Sequence, residues 1–287
     1  MARKTRKEIF KSYGIEYRKT ETGTEHIKTP FGNWIPFLLV DGNSKVGKPV
    51  KTWSIMHGNE TFTEDSFESE TIKSVFRETG CKSVNGSCFG HCDGCYCDSG
   101  NYTRYPSVYS GMLFKLILVK TFPEWTENAI TAQIEACNLK QIRIHASGDF
   151  YSKEYCDMWS RIARRFEGLT LFWTYTKNPD AIASFEDVNN LSIVPSVTPY
   201  GFNFGTTHEI RILYNKLVAD GYKVHICACG TEYEKHCSEC ETGCKYVGIK
   251  ADYVLFIKHS VKDYTFKIND SEDDYNWIIN IIRNQDN

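Results

Sequence analysis

From about residue 105 onward, short apolar runs alternate with stretches in which apolar residues recur every three or four positions. The apolar runs predict strands at 141–145, 169–175, 191–194, 223–226 and 253–257. The periodic stretches between them predict helices at 124–136, 153–166 and 208–219, because residues spaced in this way share one helix face. Strands that alternate with amphipathic helices are typical of a parallel sheet. The pattern therefore predicts an α/β fold, either an open sheet or a partial or full parallel β/α barrel.

The N-terminal part of the chain is less regular. Residues 1 to about 50 carry mixed charge and a turn-rich stretch at 41–44, which predict a short β-hairpin or an irregular cover. We expect an N-terminal extension over 1–80 that packs on the barrel, and a barrel core with a cysteine loop over 81–226. The remaining residues, 227–287, are expected to form a Cys-rich segment, the last strand and a C-terminal helix.

The composition is that of a globular protein. The chain has 287 residues, of which 41% are hydrophobic and 24% charged, so it can bury a sizeable core. A formal net charge of -2 argues against wholesale electrostatic capture of nucleic acid. No apolar stretch follows the basic start to serve as a signal peptide, and the most apolar run, 112–119, is too short to span a bilayer. We therefore expect a cytoplasmic protein whose 12 cysteines are free to bind metal.

Cys88, Cys92 and Cys95 stand at the spacing C-x3-C-x2-C. This spacing suits three thiolates on one four-iron cluster, which leaves the fourth iron open to hold a small molecule. A structural zinc knuckle is the alternative, with Cys97 as its fourth thiolate. The three-residue gap, and glycines at 86, 90 and 94 that let the backbone wrap a larger object, favour iron.

A second group of cysteines lies between residues 227 and 244. The candidate ligands are Cys229, Cys237, Cys240 and Cys244, with Cys227, His236 and His259 in reserve. Four ligands close a site, so both structural zinc and an auxiliary iron–sulfur cluster are reasonable. The sequence predicts metal binding here and leaves the metal open.

Polar residues follow two of the predicted strands. Ser147, Gly148 and Asp149 come after the first strand and just before a helix that Ser152 is placed to cap. Tyr175 and Lys177 end the next strand. Ligands gather at the carboxyl ends of parallel strands, so Asp149, Tyr175 and Lys177 are our candidate catalytic residues. The alternative is that Ser147 and Asp149 are ordinary turn residues and Lys177 a surface lysine at a helix start.

These motifs resemble the radical S-adenosylmethionine superfamily, in which a Gly-Gly-Glu stands where this chain has Ser147-Gly148-Asp149. The chain is similar, more closely, to a phage and prophage family called gene product 88. The similarity lies in Cys95-Tyr96, in the segment from Arg143 to Ser152, in Tyr175-Thr176-Lys177 and in the late cysteine cluster. It spans about residues 80 to 260.

The superfamily resemblance implies a partial or full α/β barrel with a 4Fe-4S cluster on Cys88, Cys92 and Cys95. It also implies S-adenosylmethionine bound to the open iron, with Ser147, Gly148 and Asp149 contacting its methionine amino group. An electron from a donor would cleave the sulfonium and yield a deoxyadenosyl radical that abstracts hydrogen from a substrate. The chain departs from the superfamily pattern in two places. Gly94 stands before the third cysteine where an aromatic residue is usual, and Asp149 replaces a Glu.

We therefore expect an iron–sulfur enzyme of the radical type with a second metal site. Its substrate is open among small molecules, modified nucleotides, nucleic-acid bases and peptides, and the phage family favours a nucleotide or nucleic acid. One alternative is a zinc-stabilised nucleic-acid-binding protein. Another is a zinc-containing base-exchange barrel of the transglycosylase kind, in which Asp149 would be the nucleophile and the C-x-C at 227 and 229 would bind zinc.

Overall fold

The computed structural model describes residues 4–42, 50–88, 104–195, 197–198, 201–202, 204–227, 252–257 and 272–285. The helices of these ranges are α1 (Arg6–Ser12), α2 (Glu70–Thr79), α3 (Pro106–Thr121), α4 (Pro123–Cys137), α5 (Lys153–Arg165), α6 (Pro179–Ser184), α7 (Thr207–Ala219) and α8 (Glu272–Asn284), with a 3-10 turn at Glu64–Ser66. The strands are β1 (Tyr17–Lys19), β2 (Glu25–Lys28), β3 (Trp34–Pro36), β4 (Val40–Asp41), β5 (Lys51–Trp53), β6 (Thr61–Thr63), β7 (Ser83–Asn85), β8 (Gln141–Ile144), β9 (Leu171–Thr176), β10 (Leu191–Pro195), β11 (Val197–Thr198), β12 (Gly201–Phe202), β13 (Phe204–Gly205), β14 (Val224–Cys227) and β15 (Tyr253–Ile257).

The main sheet has five strands in the order β10-β9-β8-β5-β4. β5, β8, β9 and β10 run parallel to one another, and β4 is antiparallel to β5. The strands and helices predicted from residue 124 onward are confirmed to within two residues at each end. Ile142, Ile144 and Phe172 are fully buried on the face of this sheet that packs on the helices. Burial of that apolar face holds the parallel strands in place.

The N-terminal region joins the same core. β1, β2 and β3 form an antiparallel sheet, and Phe10 of α1 is fully buried. We did not predict α1, although Thr5 and Glu8 form the reciprocal capping pair that marks its start. Within 1–80, the range predicted as an extension that packs on the barrel, β5 pairs with β8 in the main sheet and Trp53 is completely buried.

A second sheet, in the order β13-β15-β14, is parallel throughout. Its apolar side packs on α7 and α8. On its other side Val254 packs on Val194 of β10, and the ring of Phe256 lies edge-on to Tyr175 with centroids 5.6 Å apart. The two sheets therefore adjoin through β10 and β15. Within the described ranges no closed barrel is found, and a partial or full barrel stays a prediction.

The apolar run 112–119 lies in α3, where Leu113, Leu116 and Leu118 are fully buried. None of the helices in the described ranges is long and apolar enough to span a membrane.

Candidate functional site

Cys88 lies against the segment that leaves the carboxyl end of β5. Its backbone N–H donates to the carbonyl of Gly58 at 2.9 Å, and its Sγ accepts from the N–H of Gly58 at 3.2 Å. Gly86 makes this approach possible, because a Cβ there would stand 2.1 Å from the Gly58 carbonyl oxygen. The first predicted thiolate ligand is thus held at the edge of the main sheet where parallel strands end.

The Ser147–Asp149 turn follows β8, the neighbour of β5, and meets the same segment. The carbonyl of Ser147 accepts from the N–H of Ile55 at 3.1 Å. The Oγ of Ser87 donates to the Met56 carbonyl at 2.5 Å and accepts from the N–H of Asp149 at 3.3 Å. The residue next to Cys88 is therefore in direct contact with the predicted cofactor-binding turn.

Gly148 is required at this contact. Its φ is +88°, a left-handed conformation that favours glycine. A Cβ at this position would lie 2.6 Å from both Ile55 Cγ1 and Ser87 Oγ. The turn and the segment of Ser87 and Cys88 therefore pack so closely that a side chain at position 148 has no room.

His57 joins this cluster from the segment after β5. Its Nδ1 is hydrogen-bonded to the Oγ of Ser147 at 3.2 Å, and its ring lies edge-on to Tyr109 at 5.8 Å. His57 is 4% exposed and Ser147 is 1% exposed. The site thus brings a buried imidazole and a buried hydroxyl close to the partly buried thiol of Cys88.

Asp149 is fixed by donors of its own chain. Its Oδ1 accepts from the N–H of Phe150 at 2.7 Å and from the Oγ1 of Thr176 at 2.6 Å. Its Oδ2 accepts from the N–H of Lys177 at 2.9 Å. Burial raises the pKa of this carboxyl, against the three hydrogen bonds, which lower it. Because both oxygens are engaged, the geometry favours a positioning role that joins the ends of β8 and β9 over a nucleophilic one.

Tyr175 and Lys177 lie at the end of β9. The guanidinium of Arg143 sits 5.0 Å above the centre of the Tyr175 ring. Lys177 is half-buried, and the side chain of Asn178 caps the next helix by accepting from the N–H of Asp180. Lys177 therefore contacts the carboxylate of Asp149 through its own backbone N–H. Tyr175 faces β15, where its ring contacts Phe256.

His145, which directly follows β8, is 2% exposed and has a φ of +58°. Its Nε2 is hydrogen-bonded to the hydroxyl of Tyr155 at 2.9 Å, and that hydroxyl accepts from the Nε1 of Trp53 at 2.7 Å. Burial, with a smaller contribution from the charge of Arg143, lowers the pKa of His145 from 6.5 to about 3. His145 is therefore a neutral core residue behind the site.

Cys92, Cys95, Cys229, Cys237, Cys240 and Cys244 lie outside the described residues, as does most of both predicted cysteine loops. In the part of the chain that the structure describes, no group of three or more His, Cys, Asp or Glu side chains is placed to hold a metal ion. Cys81, Cys137 and Cys156 are free thiols, and burial raises the pKa of Cys156 to about 12.

A family model described as gene product 88 matches residues 38–208, more than half of the chain. The chain belongs to this phage family. The match covers Cys88, the Ser147–Asp149 turn and the end of β9, and it stops before the late cysteines. No curated protein and no solved structure matches the chain significantly.

Three residues of this site were missed in the sequence. Ser87 and Thr176 are short hydroxyls whose partners come from distant parts of the chain, so no local pattern marks them. His57 carried a signal, because it follows the mostly apolar run 52–56 and precedes a glycine. In the structure β5 ends at Trp53, and His57 lies in the segment that follows it, beside Ser147.

Proposed function

We propose that this gene product 88 protein is an iron–sulfur enzyme of the radical S-adenosylmethionine type. In this proposal Cys88, Cys92 and Cys95 bind a four-iron cluster, and Ser147, Gly148 and Asp149 form the turn beside it. The late cysteines, Cys229, Cys237, Cys240 and Cys244, bind a second cluster or zinc. The observation that carries the proposal is the contact between the Ser87-Cys88 segment and the Ser147–Asp149 turn.

That contact supports the proposal because the cluster ligands and the cofactor turn must share one site. β5 and β8 are parallel neighbours, so the segments that leave their carboxyl ends meet at one edge of the sheet. Met56 and Asp149 belong to these two segments and lie about 90 residues apart in sequence. The hydroxyl of Ser87 is hydrogen-bonded to both of them. If the Ser147–Asp149 turn served only to cap a helix, it would have no reason to contact the segment of the cysteine motif.

The residues at this edge fit such a cluster. The N–H of Gly58 already donates to the Cys88 sulfur, and hydrogen bonds of this kind stabilise cluster thiolates and tune their reduction potential. Gly86 and Gly148 have no side chain at the two places where the Cys88 segment, the segment after β5 and the Ser147–Asp149 turn contact one another. When bound, the cluster supplies the electron for reductive cleavage of the sulfonium cofactor.

In this proposal, different side chains have different roles in binding the cofactor. Asp149 locks the turn to the end of β9 through Thr176 and Lys177, and His57 orients the hydroxyl of Ser147. The Ser147 hydroxyl and the Gly148 backbone are the groups we assign to the amino group of the cofactor. The substrate lies further along this edge, towards Tyr175, and we propose a nucleotide or nucleic-acid base.

A second candidate is a zinc protein. His57 directly precedes Gly58, whose N–H donates to the Sγ of Cys88. An imidazole nitrogen together with cysteine thiolates is typical of structural zinc sites. In that case Cys88, Cys92 and Cys95 together with His57 would close the site, and the protein would bind nucleic acid without catalysis.

Anaerobic reconstitution with iron and sulfide separates the two candidates. The radical enzyme should be brown, contain more iron than zinc, and change its reduced electron paramagnetic resonance spectrum when S-adenosylmethionine is added. A colourless protein that carries only zinc after reconstitution contradicts the proposal. If the protein binds an iron–sulfur cluster but its spectrum does not change when S-adenosylmethionine is added, the cluster assignment stands and the cofactor assignment is wrong.

A further inference from the structure

The antiparallel sheet formed by β1, β2 and β3 has two faces of different character. Tyr17 and Ile35 are the register partners of Ile27, which is 1% exposed, and the ring of Phe10 stacks on Tyr17 with centroids 5.2 Å apart. These residues form the face that packs on the core. Side chains alternate along a strand, so the residues between these positions lie on the opposite face. That opposite face carries Arg18, His26, Lys28 and Trp34, and we call these four residues the outer face.

Arg18 and Trp34 form a stacked pair on the outer face. They belong to the two edge strands, which lie about 10 Å apart across β2, because adjacent strands are about 4.8 Å apart. The guanidinium of Arg18 sits 4.3 Å from the centre of the Trp34 ring, so its side chain extends over the middle strand. Arg18 is exposed, Trp34 is half-buried, and no carboxylate among the described residues is ion-paired with Arg18. The pair therefore presents an uncompensated cation to solvent on an aromatic support.

Lys28 adds a second cation beside this pair. It is the register partner of Trp34, and its Nζ lies 3.1 Å from the Oε1 of Glu16. The side chains of Lys28 and Glu16 are 37% and 65% exposed, and an exposed ion pair of this kind contributes little to stability. Lys28 can therefore exchange the carboxylate for another anion at small cost.

The segment that contains the outer face is basic, although the chain as a whole is not. Residues 1–36 hold eight Lys and Arg and four Glu, a net charge of +4, whereas the whole chain has -2. The rest of the chain therefore carries -6. Lys7 and Lys11 are exposed and, four residues apart, lie on one side of α1. A positive segment on an otherwise acidic chain directs a polyanion to this segment.

A single-stranded nucleic acid matches both the charge and the stacked pair. Its phosphates pair with lysine and arginine, and its bases stack on indole rings and on guanidinium planes. A duplex keeps its bases stacked on one another, and an anionic membrane has no bases. Neither of these partners would make use of Arg18 and Trp34 as a stacking surface.

We propose that the outer face binds single-stranded nucleic acid. A base stacks on the pair of Arg18 and Trp34, and Lys28 exchanges Glu16 for a phosphate of the strand. The inference rests on the proposed function only in treating the bound strand as the source of the substrate base. Binding at the outer face does not require the cluster.

The test measures binding of a fluorescent single-stranded oligothymidylate to the full chain by fluorescence anisotropy over a range of salt concentrations. Arg18→Gln and Trp34→Leu should each weaken binding about tenfold, because a stacking partner is lost. Arg18→Lys keeps the charge without the flat guanidinium, so it should also bind more weakly than wild type. Lys28→Gln should reduce the slope of log affinity against log salt by about 0.7, the value for one phosphate contact on a single strand.

Two further variants separate binding from folding. Glu16→Gln removes the carboxylate that competes with phosphate for Lys28, so it should bind more tightly, which a disturbed fold would not do. The matched control is Arg211, whose guanidinium lies 5.4 Å from the centre of the Trp277 ring but is ion-paired with Asp274 at 2.7 Å. Arg211→Gln should leave the affinity unchanged. Thermal melting followed by circular dichroism confirms that each variant is folded.

The inference is overturned if the oligonucleotide does not bind, or if Arg18→Gln and Arg211→Gln bind it equally well. Tighter binding of a DNA duplex, or binding of phosphatidylserine vesicles that Arg18→Gln abolishes, would assign the outer face to another partner and overturn it as well. Iron measured on the same samples keeps the two proposals apart. Oligonucleotide binding without iron supports the outer face and removes the cluster, and iron without oligonucleotide binding does the opposite.

Discussion

Replacement of Gly148 by alanine tests whether the cofactor turn and the Cys88 segment pack as closely as described. A left-handed φ of +88° costs an alanine about 1–2 kcal/mol. The new Cβ also meets Ile55 Cγ1 and Ser87 Oγ at 2.6 Å, and overpacking of this kind costs about 1–3 kcal/mol. Gly148→Ala should therefore lower the free energy of unfolding by about 2–5 kcal/mol.

Gly168→Ala is the matched control. Its φ is +73°, and a Cβ there meets nothing within 4 Å, so only the backbone cost of about 1–2 kcal/mol applies. Equilibrium unfolding in urea, followed by circular dichroism on the full chain, measures both variants against wild type. The difference between the two losses in free energy of unfolding measures the cost of placing a Cβ against Ile55 and Ser87. Equal losses for Gly148→Ala and Gly168→Ala would refute the reasoning, because they would show that Ser87 does not stand against the turn.

Three further predictions concern charges around the site. Asp149→Asn breaks at least one hydrogen bond to a buried donor and should cost about 1–3 kcal/mol in urea unfolding. Asp157→Asn, which loses only an exposed ion pair with a lysine, should cost about 1 kcal/mol or less, and equal costs would contradict the positioning role. Because burial lowers the pKa of His145 from 6.5 to about 3, the folded chain binds that proton less tightly than the unfolded one. The stability of wild type should therefore fall as pH drops from 6.5 toward 3, and His145→Asn, which tolerates the positive φ, should fall less steeply. Burial also lowers the pKa of Lys115 from 10.5 to about 8, so wild type should gain stability as pH rises across that range. Lys115→Met should lack this gain, and identical pH profiles would show that the ammonium is hydrated in the folded chain.

The parallel sheet could be predicted because its strands are apolar and its helices periodic. β9 and β15 are largely apolar runs, and α5 buries Tyr155, Trp159 and Ile162 on one side. Ser152 was also predicted correctly as a helix cap, since its hydroxyl accepts from the N–H of Tyr155. These signals are local, and local signals survive in a single sequence.

The first of the parallel strands, β5, was missed because it is only three residues long and mixes polar with apolar positions. Its place in the sheet depends on pairing with β8, about 90 residues later. The anchoring of Asp149 by Thr176 could not be predicted either, because the two residues meet only when β8 and β9 pair. A single sequence gives the chemistry of such residues but not their partners.

The central claim is that Cys88 is a ligand of an iron–sulfur cluster. Cys81 is the matched control, since it is a free thiol seven residues earlier whose Sγ donates to the Ser83 carbonyl at 3.2 Å. The most direct measurement is iron and sulfide per chain in anaerobically reconstituted Cys88→Ala and Cys81→Ala. We predict that Cys88→Ala loses one cluster and keeps the metal of the late site, whereas Cys81→Ala keeps both. Wild-type iron in Cys88→Ala, or zinc without iron in the unmodified protein, would contradict the claim.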